Sequence, residues 1–384
     1  MAPRADSVLT LLAQLIDFSK FLGGTAEERQ ATARDILDGF RTAGFIYLKN
    51  HPIPADAVQR TFARSAALFA LDDEAKLKLS WTTPEANRGY VSLGREKVTL
   101  HDDSAEVDKM RSTAPDLKET MEIGRDTDPQ FPNRWPDEDD VVGLRGFRAD
   151  MMDFFGRCQA LEAEVMRAIA LGLGLEQDFF QQYIHPGSNN LRLLHYPGVK
   201  ADVFERNPEQ MRTGEHSDYG CITLLFQDSR GGLQVRSPSG EFVDATPIEG
   251  TIVVNAGDML ARWSNDTIRS TIHRVARPPN QDDEHPARYS IAYFCNPNMD
   301  SFIETLPGTY ATEKDRKYEG IRSGEYLPSL CLDGRRLPVG DVCATIYDGF
   351  VLLNNVYAVL NGGDLVGPVS STGVDVLYRP VRRG

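Results

Sequence analysis

The chain has 384 residues, of which 41% are hydrophobic and 26% are charged, the balance of an ordinary globular protein with a large core. No run approaches the roughly 18 apolar residues of a membrane-spanning helix, so we expect no membrane association. Asp and Glu number 56 against 42 Lys and Arg, a formal charge of −14, which argues against a nucleic-acid polymer as partner and favours a free small molecule as substrate.

The amino terminus and the cysteines predict a cytoplasmic protein. A short apolar patch follows Asp6, but no small-residue cleavage site of a secretory signal comes after it. The 5 cysteines are odd in number and lack paired spacing, which argues against a disulfide scaffold and fits a reducing compartment. The sequence leaves the oligomeric state open.

The first region, residues 1–140, is predicted to consist of helices and long loops. Helical spacing over 26–44 is followed by a strand at 45–50, and a second helix is expected from about 55 to 71. From Lys78 to Trp135 the chain is rich in Gly, Pro and charged residues. This composition predicts a long loop region with short elements, which in an enzyme often forms the wall or lid of a pocket.

A long helix and then a run of strands follow. Region 141–189 is predicted to hold a helix over 142–171 and a shorter one over 176–184. Region 190–327 contains short apolar or alternating segments separated by turn residues: LRLLHYP, CITLLFQ, GLQVRS, EFVDATP, TIVVNAG, STIHRVA and RYSIAYFCN. We therefore predict an α+β fold, a double-stranded β-helix (jelly-roll) core with flanking helices. The tail, 328–384, is atypical and has no assigned role.

Three residues of the strand-rich region have the chemistry of a metal site. His216 and Asp218 stand two positions apart in GEHSDYG, so on a strand or at its end both side chains leave the same face. His273, in STIHRVARPP, can arrive from a distant strand. Two imidazoles and one carboxylate are the donor set of a mononuclear Fe(II) site that keeps open positions for substrate, cosubstrate or O₂.

A second signal follows the third ligand. Arg288 and Ser290 alternate on a predicted strand, which places a guanidinium and a hydroxyl on one face. A planar guanidinium is the natural partner of a carboxylate. A metal site together with a carboxylate anchor indicates an oxygenase that uses a 2-oxo acid.

The triad alone has other interpretations. The same three donors can hold zinc for hydrolysis, and a His-x-Asp pair also occurs by chance with both side chains satisfied by hydrogen bonds. A non-catalytic small-molecule receptor that has kept the scaffold is a further alternative. Arg288 and Ser290 argue against all of these, because neither a hydrolase nor a receptor needs a metal site and a carboxylate anchor together.

These motifs resemble the Fe(II)/2-oxoglutarate dioxygenases of the isopenicillin N synthase-like family. The resemblance runs from Ile16 to about Leu327 and includes IDFSKF…GFIYLKNHPIP and the HSD…H…RYS core. Within that family the chain looks most like fungal enzymes that oxidise free thymine, through the stretches WTTPEANRGY, GREKVT, EIGRD, LRLLHYP, HSDYGCITLLFQDSRGGLQV, NAGDMLARWSND and RYSIAYFCNPN. The tail has no counterpart that we identify in the family.

The resemblance implies Fe(II) as metal, 2-oxoglutarate as cosubstrate and O₂ as oxidant. The residues that match the family's iron ligands are His216, Asp218 and His273. The distal carboxylate of 2-oxoglutarate is expected on the residues that match the family's clamp, Arg288 and Ser290, with a further hydrogen bond from Tyr196. Many relatives carry Asn where this chain has Leu194, which leaves the detail of the cosubstrate contact open.

The resemblance also implies a substrate pocket. In the thymine enzymes the flat base stacks on a phenylalanine that matches Phe294, and groups that match Arg192 and Asn296 hydrogen-bond its polar edge. An aromatic face suits a planar ring, a guanidinium donates to a carbonyl, and an amide offers both a donor and an acceptor. Tyr219, next to an iron ligand, is also expected to line the pocket. Phe294 as ordinary strand core is the alternative.

The implied reaction is hydroxylation of the 5-methyl group of free thymine to 5-hydroxymethyluracil, with release of succinate and CO₂. Further rounds would give 5-formyluracil and 5-carboxyuracil. The alternative is a fungal secondary-metabolite oxygenase of the same fold acting on another small molecule, because its triad and clamp would be identical.

The remaining histidines are expected to have structural or surface roles. His51, His101, His185 and His285 fall in turns or polar loops of the predicted chain. His195 neighbours Tyr196 but should point to the opposite face of the same strand, into core packing or a structural hydrogen bond.

Overall fold

The computed structural model describes residues 13–81, 87–97, 113–139, 141–207, 210–277 and 284–326. The tail predicted at 328–384 and His101 lie outside these residues. Within the described part of the chain, no helix is both long and apolar enough to cross a membrane.

The N-terminal elements follow the predicted order. They are β1 (Gln14–Asp17), α1 (Ser19–Gly23), α2 (Ala26–Thr42), β2 (Phe45–Lys49), α3 (Ala55–Phe69) and α4 (Asp73–Leu77). Thr25 and Glu28 form a reciprocal capping box that fixes the start of α2. The apolar face of α2, with Ile36 and Phe40, is fully buried. The two helices and the strand predicted here are confirmed.

The region predicted as a long loop contains two strands of the main sheet. These are β3 (Gly89–Val91) and β4 (Glu119–Ile123). Every residue of β4 is buried, although two of its five side chains are glutamates. Sequence composition did not reveal β4 because its charged residues are neutralised by partners that lie far away in the chain.

The long helix starts later than predicted. A short 3₁₀ turn, Val142–Leu144, comes first, and α5 (Phe147–Gly172) begins after Gly146, whose φ of 80° is left-handed. The shorter helix predicted over 176–184 is confined to α6 (Gln181–Ile184). Both predictions are right in kind and wrong at the amino-terminal boundary.

All seven predicted strands are present. The remaining elements are β5 (Asn190–Tyr196), β6 (Val199–Lys200), α7 (Asp202–Arg206), β7 (Thr213–His216), β8 (Ile222–Gln227), β9 (Leu233–Arg236), β10 (Phe242–Asp244), β11 (Thr251–Ala256), α8 (Asp258–Trp263), β12 (His273–Val275), β13 (Glu284–His285), β14 (Arg288–Cys295), β15 (Phe302–Ile303) and β16 (Ile321–Arg322), with a 3₁₀ turn at Glu313–Asp315.

Two sheets dominate the architecture. The larger has 8 strands in the order β1-β2-β11-β8-β14-β5-β4-β3, and the smaller has 4 in the order β10-β9-β12-β7. The pairs β13-β6 and β15-β16 form separate ribbons. N-terminal strands extend both edges of the larger sheet, so the chain has an α+β architecture in which the first region and the strand-rich region share one sheet.

The larger sheet has two chemically different faces. Its outer face packs on the helices in one continuous core that includes Phe40, Phe154, Leu193 and Tyr293. Its inner face carries smaller apolar clusters shared with the smaller sheet, such as Tyr196 against Val275. The polar residues predicted for function alternate onto this inner face, which places them between the sheets.

Candidate active site

The three predicted ligands meet where the smaller sheet ends. Strand β7 terminates at His216, which is paired across the sheet with His273 of β12. Asp218 follows two residues later, and its Oδ1 lies 4.0 Å from Nε2 of His216 and 3.8 Å from Nε2 of His273. The three potential ligand atoms all lie within 4.8 Å of one another. This spacing suits three donors on one face of a single ion.

Hydrogen bonds orient the donor atoms inward. The Nδ1 of His216 lies 2.9 Å from the carbonyl oxygen of Gly214, and that of His273 lies 3.2 Å from the carbonyl of Thr271. A carbonyl only accepts, so each Nδ1 carries a proton, and in the neutral ring Nε2 is then the nitrogen with the free lone pair. Such partners of the non-coordinating nitrogen are usual for metal-binding histidines.

The carboxylate of Asp218 is held in the same way. Its Oδ2 accepts hydrogen bonds from Thr223 Oγ1 at 2.5 Å and from Asn255 Nδ2 at 2.7 Å. The Oδ1 atom is left for a ligand. Thr223 and Asn255 lie opposite each other on β8 and β11, so the sheet itself sets the carboxylate's direction.

Electrostatics favour the protonation states that a divalent metal needs. Burial, reinforced by the nearby His273, lowers the pKa of His216 to about 3, so its ring is neutral at physiological pH. Burial opposes ionisation of Asp218, but the two histidines and the hydrogen bonds from Thr223 and Asn255 outweigh it and lower the pKa of the carboxyl. Two imidazoles and one carboxylate, without a thiolate, are a donor set that fits Fe(II).

A buried guanidinium lies at the other end of the inner face. Arg288, only 2% exposed, donates from Nε to the carbonyl of Gly231 at 2.8 Å and from one terminal nitrogen to Ser290 Oγ at 3.1 Å. Its guanidinium carbon lies 4.8 Å from the centre of the Tyr196 ring, and the Tyr196 hydroxyl accepts from Thr213 Oγ1 at 3.3 Å. Within the described residues no carboxylate pairs with Arg288.

Arg192 and Phe294 are adjacent on the inner face. The Arg192 guanidinium carbon lies 5.2 Å from the centre of the Phe294 ring. Arg192 and Glu122 form an ion pair, with Nε of Arg192 2.5 Å from Oε1 of Glu122. The Nε–H bond does not point at this oxygen, so the contact does not count as a hydrogen bond. The terminal nitrogens of Arg192 donate to no described residue, so they are available to a ligand. The Phe294 ring is partly buried, as a stacking surface must be.

Asn296 stands where β14 ends. Its Nδ2 donates to the carbonyl of Ser188 at 3.0 Å, and its backbone N–H donates to Asn189 Oδ1 at 2.7 Å. These bonds fix the amide and leave Oδ1 without a donor among the described residues. A Cβ on Gly220 would come within 2.4 Å of this Oδ1 and 2.6 Å of a backbone oxygen, so only glycine fits beside it. Tyr219, half-buried, precedes this glycine.

Sequence reasoning missed the residues that hold the site residues in place. Glu122, Asn189, Thr223 and Asn255 are all nearly or fully buried and each bonds to a predicted site residue. The available signal was a polar residue at an inward position of an otherwise apolar strand, as Asn255 in TIVVNA.

Two histidine predictions have opposite outcomes. His195 faces the outer side of β5 as predicted, with Nδ1 2.7 Å from Glu119 Oε1 and its ring stacked on Tyr289 at 4.6 Å. His285 was predicted in an exposed polar loop, and this is wrong. It lies in the short β13 ribbon, is 4% exposed, and packs edge-on against Phe204.

A His-Asp-His face beside a buried arginine, between two sheets, defines a non-haem iron oxygenase that takes a 2-oxo acid. The family description "2OG-Fe(II) oxygenase superfamily" matches residues 180–297, and "non-haem dioxygenase in morphine synthesis N-terminal" matches 14–138. The 2-oxoglutarate-Fe(II) type oxidoreductase ppzD of Metarhizium rileyi is 35% identical over 316 residues, 81% of this chain and 88% of that protein. The chain belongs to the 2OG-Fe(II) oxygenase superfamily.

Further relatives differ in what they act on. The crystal structure of full-length Neurospora crassa thymine 7-hydroxylase with α-ketoglutarate and thymine matches at 61% identity and a TM-score of 0.77, over 83% of this chain and 96% of that one. The same protein with 5-formyluracil matches at 57% and 0.75, over 84% and 96%. Proline hydroxylase buaE of Petromyces alliaceus is 36% identical, over 83% of this chain and 98% of that protein.

Proposed function

We propose that this enzyme hydroxylates the 5-methyl group of free thymine to 5-hydroxymethyluracil, with 2-oxoglutarate as cosubstrate and Fe(II) on His216, Asp218 and His273. The observation that carries the proposal is the set of free polar groups around Phe294. Arg192 offers donors and Asn296 offers an acceptor on the inner side of the larger sheet, which also carries Thr223 and Asn255, the hydrogen-bond partners of Asp218. The likeness to the thymine-bound structure of the Neurospora crassa enzyme supports this substrate.

We also propose that the two sheets are the halves of a double-stranded β-helix. The pairing of β7 with β12 and of β8 with β14 supports this, since sequence-distant strands alternate between the sheets. The function needs such a frame, because the ligands come from one sheet and the carboxylate anchor from the other.

The cosubstrate is expected to lie between the metal and Arg288. Bound Fe(II), with 2-oxoglutarate and O₂, would supply the oxidising power that breaks a C–H bond of the methyl group, with release of succinate and CO₂. Arg288 and Ser290 bind the distal carboxylate, and Tyr196 donates a further hydrogen bond. Because Arg288 is already fixed by Gly231 and Ser290, little ordering accompanies binding.

The substrate's ring is expected to stack on Phe294, with Tyr219 close by. A pyrimidine edge alternates carbonyl oxygens with an N–H. The terminal nitrogens of Arg192 donate to a carbonyl, and Oδ1 of Asn296 accepts from the ring N–H. Glu122 acts on Arg192 rather than on substrate, because its ion pair is made to Nε and leaves the terminal nitrogens of Arg192 without a described acceptor. These contacts aim the methyl group at the metal face.

Successive oxidation to 5-formyluracil and 5-carboxyuracil is part of the proposal. The exocyclic carbon lies away from the polar edge that Arg192 and Asn296 bind, so its oxidation leaves those contacts intact. The structure of the Neurospora crassa enzyme with 5-formyluracil supports binding of an oxidised base.

A second candidate is oxidation of another small molecule by the same metal site. The 36% identity with a proline hydroxylase favours this alternative, since metal and cosubstrate groups do not discriminate between substrates. Glu122 and Arg192 form an ion pair that could equally receive a substrate with its own charged groups.

A substrate panel tests the proposal. The protein is first loaded with Fe(II) under anaerobic conditions. It is then given 2-oxoglutarate, O₂ and one candidate substrate, which is thymine, uracil, thymidine or L-proline. When thymine is the candidate substrate, we expect both succinate and the oxidised base to form. Neither product is expected from the Asp218→Ala variant. Turnover of proline without turnover of thymine would favour the second candidate.

A further inference from the structure

Near Arg288 the structure holds a second deeply buried arginine. Arg212 is 1% exposed and is among the largest fully buried side chains. It stands immediately before β7, and its backbone N–H donates to the carbonyl of Val275 at 3.0 Å. One terminal nitrogen donates to the carbonyl of Pro286 at 2.9 Å. A cation in this position needs an explanation, because unpaired buried charges are rare.

Arg212 has no anionic partner among the described residues. No carboxylate there lies within ion-pair distance, and its Nε is buried without a hydrogen-bond acceptor. Burial, and next the charge of Arg288, lower the pKa of Arg212 to about 10. The guanidinium therefore remains charged at neutral pH. Asp228 is close enough for its charge to raise the pKa of Arg212, but it lies beyond ion-pair distance, so neither Arg212 nor Arg288 has a described carboxylate in direct contact.

Contacts place Arg212 beside the cosubstrate pocket. Its acceptor, Pro286, precedes Arg288 by two residues on the same segment. Its neighbour Thr213 donates to the hydroxyl of Tyr196, and the Tyr196 ring lies under the Arg288 guanidinium. Arg212, which immediately precedes β7 of the smaller sheet, and Arg288, on β14 of the larger sheet, thus approach one space from two sides.

We propose that Arg212 is a second cationic anchor for the distal carboxylate of the cosubstrate, which rests on the 2-oxoglutarate site of the proposed function. A single carboxylate entering between two buried guanidinium groups neutralises charge that protein groups leave unpaired. The consequence is a selectivity: 2-oxo acids with a distal carboxylate bind much better than 2-oxo acids of equal length without one.

Binding measurements on the metal-loaded protein test this inference without turnover. The probes are 2-oxoglutarate and 2-oxovalerate, which has the same chain length and lacks the distal carboxylate. Dissociation constants are measured by calorimetry without oxygen and without thymine, on protein loaded with Fe(II). The variants are Arg212→Met and Arg212→Lys. The matched control is Arg230→Met, an exposed arginine that immediately precedes Gly231, the carbonyl partner of Arg288.

Arg212→Met is expected to weaken 2-oxoglutarate about 10- to 100-fold and 2-oxovalerate less than about twofold. Arg212→Lys, which keeps the charge, is expected to lie between the wild type and Arg212→Met, and Arg230→Met is expected to match the wild type. Equal weakening of both acids, or no weakening of either, would overturn the role. If Arg212→Met does not fold, Arg212→Lys decides the question: weaker binding of 2-oxoglutarate with unchanged binding of 2-oxovalerate supports the second anchor, and any other result overturns it.

The same titrations separate this inference from the function it rests on. If wild-type protein fails to prefer 2-oxoglutarate to 2-oxovalerate, the cosubstrate site itself is wrong. If it prefers 2-oxoglutarate and Arg212→Met keeps that preference in full, only the second anchor is wrong. Failure to oxidise thymine changes neither result.

Discussion

Replacing Glu122 by Gln tests how Arg192, the proposed substrate contact, is held in place. Glu122 is 1% exposed; its Oε1 lies 2.5 Å from Arg192 Nε and accepts from Thr120 at 3.0 Å, and its Oε2 accepts from Asn190 Nδ2 at 2.5 Å. Glutamine keeps the shape, removes the charge, and replaces one acceptor by a donor. Arg192 then loses its only described ion-pair partner and its fixed direction.

The size of the effect follows from these contacts. Breaking one side of a buried ion pair costs at most about 3–5 kcal/mol of folding stability, so the variant is expected to fold with a lowered melting temperature. A charge-assisted hydrogen bond from Arg192 to the substrate contributes about 1.5–3 kcal/mol. Because the guanidinium remains present but misdirected, we expect a rise in KM for thymine of about tenfold, with 2-oxoglutarate binding unchanged.

Steady-state succinate formation with varied thymine measures this change, and calorimetry without oxygen measures 2-oxoglutarate binding. Glu119→Gln is the matched control. Glu119 lies on the same strand, is equally buried, and pairs with Lys76 and His195, but on the outer face of the sheet. We expect Glu119→Gln to lower stability and leave KM for thymine unchanged. An unchanged KM in folded Glu122→Gln, or the same rise in both variants, would refute the reasoning.

Three further changes probe the ligands, the clamp and the core. Asn255→Ala removes one of two donors to Asp218, and Fe(II) titration should show about 10- to 100-fold weaker binding; unchanged affinity would contradict this. Arg288→Gln should raise the Kd of 2-oxoglutarate about 10- to 100-fold or more, and an unchanged Kd would place the clamp elsewhere. Burial raises the pKa of the Glu162 carboxyl well above its usual value, so the folded protein favours the protonated form. The stability that this contributes is fully present below the unfolded pKa of about 4.3, and it is lost as the pH rises through the folded pKa. Glu162→Gln imitates the protonated form. Chemical denaturation should therefore show that the free energy of unfolding of the variant, relative to that of the wild type, increases with pH. A difference in unfolding free energy that does not change with pH would contradict this.

Local pattern was sufficient to predict the metal triad and the pairing of Arg288 with Ser290 on one face of a strand. His216 and Asp218, and likewise Arg288 and Ser290, are two residues apart, and the period of a strand decides which way such pairs face. The seven strands of the core were also accessible, because each is an apolar run bounded by turn residues. Both signals lie within a few residues of chain.

Residues that depend on distant pairing were not accessible. Glu122 is buried because β4 pairs with β5, which places Arg192 opposite it, and no local pattern shows that partner. Arg212 reads as an ordinary surface cation until Pro286 and Tyr196 are found beside it. Gly220 is required by the amide of Asn296, a contact across 76 positions (296 − 220) of chain. Long-range packing decides each of these roles.

The coupling of cosubstrate to substrate is the most direct measurement. Metal-free protein is given one equivalent of Fe(II), limiting 2-oxoglutarate, O₂ and excess thymine, and both products are quantified after the cosubstrate is exhausted. We predict one succinate for each oxidation step, so that 5-hydroxymethyluracil counted once, 5-formyluracil counted twice and 5-carboxyuracil counted three times add up to the succinate formed. Neither kind of product should form before iron is added. Oxidised thymine without succinate, or activity that is independent of Fe(II), would contradict the account.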